Sequence, residues 1–179
     1  MKKVIAIITA LLLLLCGCVG QDEGLFGRKY DKDQEYANKQ LNSLLKAIEN
    51  KDEKVVKSLF SKNVLSSDFE FETSVQELFA YFKGVAPKWD SQCPQIIDEE
   101  NETNQKIIVT SSYDIQTSES AYRICIKSCR KDTADYNNEG IWSLYIILLS
   151  EDNDLECTYW GDNKYTPGIN IGVPMPLET

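Results

Sequence analysis

The sequence predicts a segregated α+β domain, with N-terminal helices covering one face of an antiparallel sheet. Two observations carry this. Ala37, Leu41, Leu44, Leu45 and Ile48 form one apolar stripe at helical spacing. After Pro87 the period falls to two, and apolar residues alternate with polar ones in segments separated by polar, turn-rich links.

The elements follow in chain order. The stripe predicts a helix over Asp31 to Asn50, with Asp31, Asp33 and Glu35 clustered at its start, where acids suit the helix dipole. Asn50-Lys51-Asp52 breaks it. A short second helix turns Val55, Val56, Leu59 and Phe60 inward and ends near Ser61 to Asn63. A third runs through Val75, Leu78, Phe79 and Phe82. Ser74 and Glu77 have capping-box spacing, Phe69 and Phe71 suggest an earlier turn, and Gly84 closes the helix.

A first strand between Trp89 and Ile97 is expected to bend or lie at an edge, because Pro94 cannot donate to a ladder. Lys106 to Thr117 and Ala121 to Arg130 alternate cleanly. Ile141 to Leu149 is apolar on both faces, as a central strand would be. Leu155 to Trp160 reads as a further strand, which makes about five antiparallel strands. The tail from Asn163 carries Pro167, Pro174 and Pro176 and is expected to be an extended wrap.

The first eighteen residues are of a different kind. Lys2 and Lys3 precede an apolar run from Val4 to Leu15, broken only by Thr9, and Cys16-Gly17-Cys18 follows. That order is a secretory signal, and a spanning helix would need about 20 apolar residues. Leu15-Cys16-Gly17-Cys18 resembles the lipobox of bacterial lipoproteins. The resemblance implies cleavage after Gly17 and lipid on Cys18. Lipidation of Cys16 would instead require cleavage after the bulky Leu15. The expected organisation is a leader over 1–17, a lipidated cysteine and short linker over 18–29, one domain over 30–171 and a tail over 172–179. The expected location is the outer face of the cytoplasmic membrane, held by lipid.

Composition excludes several chemistries. The formal charge is −9, which repels nucleic acid, and the nearest basic run is the short Lys127 to Lys131. Histidine is absent, which removes Ser-His-Asp and Cys-His catalysis and imidazole zinc sites. Cys93, Cys125, Cys129 and Cys157 lack the paired spacing of a zinc site. Cys125 and Cys129 share a strand face about 13 Å apart, too far to bond each other. Either could instead pair with Cys93 or Cys157. No metal or cofactor is expected.

Ala47 to Asp52 followed by Val55 to Ser61 resembles the opening of nuclear-transport-factor-2-like (cystatin-like) domains: a helix, a short break, and a second helix ending in Phe. Lys29 to Ala37, Ser58 to Ser61, Phe79 to Gly84 and Tyr159 to Asp162, in that order, resemble an uncharacterised family of lipoproteins from Gram-positive bacteria, a domain of unknown function. The resemblance implies a cone, in which a curved sheet wraps around helices with a pocket at the wide end. It carries no activity.

The superfamily's enzymes use an Asp or His base with Tyr or protonated-acid donors. Without histidine, Asp114 beside Tyr113 and Asp162 beside Trp160 are the carboxylates to consider. Asp114 falls on the polar side of its strand and Asp162 reads as a turn acid, so no catalytic residue is assigned. The candidate pocket residues are the strand aromatics Trp89, Tyr113, Tyr122, Trp142, Tyr145, Tyr159 and Trp160, for which core packing is the default role. Asp132, Asp135, Asn137, Asn138 and Glu139 crowd one loop without EF-hand spacing, which favours a solvated loop over a calcium site. Asn101-Glu102-Thr103 matches a glycosylation acceptor that has no role in a bacterial lipoprotein. The expected function is a non-enzymatic binding module at the cell envelope, engaging a protein partner or a small ligand. The alternative is a small-ligand binder or weak enzyme that uses the aromatic pocket.

Overall fold

Helix α1 (Leu25–Glu49) begins earlier than its apolar stripe, and its buried face is the predicted one. Ala37, Leu41, Leu44, Leu45 and Ile48 are all buried. The computed structural model describes residues 25–85, 88–91, 94–150 and 166–172, with backbone alone for 25–31 and 91. The chain divides into two compact units, Met1–Asp31 and Lys32–Thr179. In the first, the described residues are the opening of α1. The second holds everything that follows.

The end of α1 is set by hydrogen bonds that tie off its last carbonyls. The Lys51 N–H donates to Ile48 O, and the Asp52 N–H to Ala47 O. These are the two bonds of a Schellman cap, with Lys51 at φ 51 where glycine usually sits. Asp52 then caps the next helix, α2 (Glu53–Leu59), by accepting from the Val55 N–H at 3.1 Å.

A further short helix, which the sequence does not announce, follows as α3 (Lys62–Ser67), with buried Ser61 accepting from the Val64 N–H. Helix α4 (Phe71–Tyr81) starts three residues before the expected capping box. Burial of Phe71 against Phe60, ring centroids 4.8 Å apart, pulls the first turn forward and leaves Ser74 inside the helix. Gly84 lies beyond the helix end at φ 80, and a Cβ there would meet the Thr117 and Ser118 hydroxyls at 2.8 Å.

Among the described residues the sheet has six strands: β1 (Lys88–Ser91), β2 (Gln95–Glu100), β3 (Gln105–Gln116), β4 (Ala121–Asp132), β5 (Gly140–Leu148) and β6 (Gly168–Ile171). A single 3-10 turn, Tyr136–Asn138, precedes β5. The order is β1-β3-β4-β5-β6, and β2 pairs with the other end of β3. The expected bend at Pro94 is therefore a break. β1 and β2 are two pieces of one edge, both antiparallel to β3, and Pro94 sits buried in the gap.

The α+β class holds, but the sheet is curved, unclosed and mixed rather than purely antiparallel. β6 runs parallel to β5. It arises in the segment expected to be an extended wrap, where four residues opening on a left-handed Gly168 gave little strand signal.

The inner face carries Val109, Tyr113 and Ile115 from β3, Tyr122, Ile124 and Ile126 from β4, and Leu144 and Ile146 from β5. These pack with α1, α2 and α4 into one core. The other face is also buried at Ile108, Thr110, Cys125, Ser143 and Tyr145. At the start of β5 a parallel bridge joins Phe60 to Ile141, and Ser61 N–H donates to Ile141 O at 3.0 Å. A Cβ on Gly140 would lie 2.8 Å from the Ser61 nitrogen, so the close approach of the two backbones requires glycine.

Candidate functional site

The described aromatics of the candidate pocket do not converge. Tyr113 and Tyr122 are fully buried. Trp89 meets Tyr113 edge-on at 5.4 Å. Tyr122 stacks on Phe82 at 4.7 Å and meets Tyr81 at 5.8 Å, and its hydroxyl donates to Tyr81 O while accepting from the Lys83 N–H. The Tyr122 cluster joins α4 to the sheet, and Tyr113 reaches Asn38 on α1.

Trp142 packs at the edge of the core, whereas Tyr145 lies on the other face by strand alternation. A bulge between Lys127 and Ser128 turns Trp142 toward Lys127, whose ammonium lies 5.9 Å from the indole. Burial lowers the Lys127 pKa. The Trp142 N–H donates to Asn138 O at 2.7 Å, and the Tyr145 hydroxyl accepts from the Thr166 N–H. Tyr159, Trp160, Asp162, Cys18, Cys93 and Cys157 lie outside the described residues, as do the leader and the Leu155 to Trp160 strand.

Asp114 is occupied. Arg123 on the neighbouring strand grips it with two bonds, Nε to Oδ1 at 2.7 Å and Nη2 to Oδ2 at 3.0 Å.

The most polar part of the interior lies under the front of α1. Asp33 is 2% exposed, and its Oδ1 lies 2.5 Å from Nη1 of Arg130 at the far end of β4. One turn on, the Tyr36 hydroxyl accepts from Gln40 Nε2 at 3.3 Å and meets the Ser128 hydroxyl, while burial raises its pKa. Gln34 Nε2 donates to Asn38 Oδ1 at 2.8 Å, and the Tyr113 hydroxyl reaches the same oxygen at 3.5 Å. Burial raises the Tyr113 pKa as well, with the Ser111 hydroxyl acting in the opposite direction. Hydroxyls held protonated beside satisfied amides can build a rigid seam, and none of them is a base near neutrality.

The sequence reading missed the Asp33–Arg130 pair, although its signal was present. Asp33 stands four residues before Ala37, on the forward continuation of the apolar stripe. A charge in that register faces the sheet and needs a partner there.

Cys129 sits in the same region as a buried thiol. It donates to Lys131 O at 3.2 Å, and burial pushes its pKa up to about 11. The pairing of Cys129 with Cys93 or Cys157 is corrected accordingly. Cys125 Sγ lies 3.5 Å from Ser112 Oγ on the adjacent strand.

In the acidic loop, burial raises the Asp132 pKa, but its hydrogen bonds and Lys106 outweigh this and the net shift is downward. The bonds come from Asn138 Nδ2 and from the Ala134 and Asp135 N–H groups. Asp135 accepts from Asn63 Nδ2 at 2.8 Å and from the Asn137 N–H. Its pKa is lowered, first by Asn63. The carboxylates are spent on turning the chain. Among the described residues no group of three or more Cys, Asp or Glu could hold a metal ion. An open depression lined by Asn50, Lys51, Asp52, Glu53 and Lys54 lies at the junction of α1 and α2 and gathers no convergent chemistry.

A family model described as Domain of unknown function (DUF5104) matches residues 43–150. The chain belongs to this family. No curated protein matches it. The DUF5104 match runs from the apolar rear of α1 to the end of β5. Arg130, Tyr113 and the acidic loop lie within DUF5104, while Asp33, Tyr36 and β6 lie outside it. No described helix is long and apolar enough to cross a membrane.

Proposed function

We propose that this DUF5104 protein is a lipid-anchored binding module of the bacterial cell envelope, tethered through Cys18 and working by contact with a protein partner. The anchor rests on Lys2-Lys3, the apolar run to Leu15 and the Leu15-Cys16-Gly17-Cys18 pattern. Two or three acyl chains hold a domain stably, because each buried CH₂ contributes about 0.8 kcal/mol.

The observation that carries the binding role is the complete burial of Tyr113 and Tyr122. Rings expected to line a pocket are spent on joining helices to sheet, which favours the outer surface as the working part. A ligand held inside the sheet is the weaker reading for the same reason. The long helix, the short helix ending near Phe60, and the meander β3-β4-β5 support a variant of the nuclear-transport-factor-2-like cone.

Cys18→Ala tests the anchor. The lipidated protein partitions with membranes, and the variant leaves them or accumulates as precursor. Unchanged fractionation of the variant would sink the lipid-anchor reading. For the binding role, the full chain is captured with its partner after cross-linking in intact cells. Cross-links to no protein count against it.

A further inference from the structure

One end of the domain exposes two aromatic rings on hydrogen-bonded turns. Phe69 is 98% exposed and Tyr136 is 71% exposed. Burial is the usual fate of Phe, so a fully exposed one in a fixed turn calls for an explanation.

The turn at Phe69 is hydrogen-bonded on both sides. Asp68 caps the end of α3 through its N–H to Val64 O, and its Oδ1 accepts from the Glu70 N–H at 3.0 Å. Phe71, two residues later, is buried against Phe60. The turn at Tyr136 is hydrogen-bonded as well. Asn63 Nδ2 donates to both Asp135 Oδ2 and Asn138 Oδ1, and the Trp142 indole holds Asn138 O. Asn63 is in the first turn of α3 and Phe69 lies just past its C-cap, so α3 links the two turns.

Acidic residues outnumber cations around the rings. Asp68 and Glu70 flank Phe69, and Asp135 and Glu139 stand beside Tyr136. Lys57 on α2 is taken up by Glu72 at 2.7 Å, which leaves Lys62 as the cation on α3. A surface of this kind repels anionic lipid, and it repels a second copy of a chain that is itself strongly acidic. It complements a basic segment, whose apolar side chains would cover the rings while its cations meet the acidic rim.

We propose that this end, formed by α3 and the Phe69 and Tyr136 turns, is the docking surface for a basic segment of a partner protein, with Phe69 and Tyr136 as its anchors. The proposal rests on the binding-module reading and names the surface that does the binding. Because both turns are held before contact, docking orders little of this chain.

The test uses the full-length protein in the membranes of cells that make it, with p-benzoylphenylalanine placed singly at position 69, 136, 85 or 97. Val85 and Ile97 are exposed apolar controls outside the two turns. The expected result is cross-linking at 69 and 136 to a protein segment rich in Lys and Arg. Phe69→Ala should cut the yield from position 136 about tenfold, and Glu70→Lys should lower it about fivefold.

Phe69→Ala removes a side chain that is 98% exposed, so folding is not at issue. Cross-links at 85 or 97 with none at 69 or 136 overturn this surface and leave the binding module standing. Cross-links at none of the four positions overturn both. Products from 69 or 136 that are lipid, a second copy of this chain or a non-basic segment overturn the proposal.

Discussion

Helix α1 has two interiors. Over its front half, from Asp33 to Gln40, it presses a carboxylate, a phenol and two amides toward the sheet. Over its rear half, Leu41, Leu44, Leu45, Ala47 and Ile48 are buried and entirely apolar. The rear contributes stability through area removed from water, about 1.5–3 kcal/mol for each large side chain, and is indifferent to direction. The front gains less in net energy, because desolvation offsets its polar contacts, but it is directional. A one-residue slip of the helix would take Asp33 from Arg130 and Asn38 from Tyr113 together. The front therefore fixes where α1 lies, and the rear supplies most of the reason it stays there.

The largest effect should come from the front. Arg130→Met removes a guanidinium from beside a carboxylate that is 2% exposed. Breaking such a pair costs about 3–5 kcal/mol. Asp33→Leu with Arg130→Met together should recover most of that loss, because an apolar pair of similar volume is often as stable as a buried ion pair. Urea midpoints of the four proteins in the cycle measure the coupling. Additive losses would show that the pair does not act as a unit.

The rear should respond almost as strongly, but without coupling to a polar partner. Leu44→Ala at a fully buried site should cost about 3 kcal/mol in transfer and cavity terms. Combined with Arg130→Met, its loss should add within about 0.5 kcal/mol if the halves are independent. Strong non-additivity in thermal or urea unfolding would mean that α1 has one interior and not two.

The two interiors were unequally legible in the sequence. The rear is legible at Leu41, Leu44, Leu45 and Ile48, because an apolar stripe at helical spacing has one physical meaning, and only Ala47 escapes it. The front was read as acids suited to a helix dipole, because a charge on the same stripe declares its position and not its partner. Arg130 lies almost a hundred residues away, and nothing local points to it.

The same limit explains the sheet. β3, β4 and β5 announced themselves by alternation, whereas β6 needed a parallel partner that its four residues could not specify. The aromatics were legible as strand residues. The direction of Trp142 depends on a bulge at Lys127/Ser128 that periodicity does not reveal.

The acidic loop extends the contrast to pH. The native Asp132 pKa lies below its ordinary 3.8. Its contribution is therefore present above about pH 4 and is lost as pH falls through the lower native value. Asp132→Asn should lower Tm at pH 7 and flatten its fall between about pH 5 and pH 2. The Asp33–Arg130 seam of the Asp132→Asn protein should keep its own response to Arg130→Met. An acid limb unchanged by Asp132→Asn would assign the loss to other carboxylates.

The smallest change should be a gain, at the point where the apolar half of α1 ends. Lys51 holds the left-handed position of the cap at φ 51, where its Cβ crowds the backbone. Its backbone N–H to Ile48 O must be kept, and any residue but proline keeps it. Lys51→Gly removes the crowding and leaves both cap bonds in place. Glycine also raises the entropy of the unfolded chain, which takes back part of the benefit. The net gain should be about 0.5–1 kcal/mol, read as a higher urea midpoint at unchanged slope. Because the cap closes the apolar half only, the gain should persist undiminished in the Arg130→Met protein. A gain that vanished there would mean that the front pair sets the angle at which α1 reaches its own end, and the two interiors would then be coupled through the helix itself.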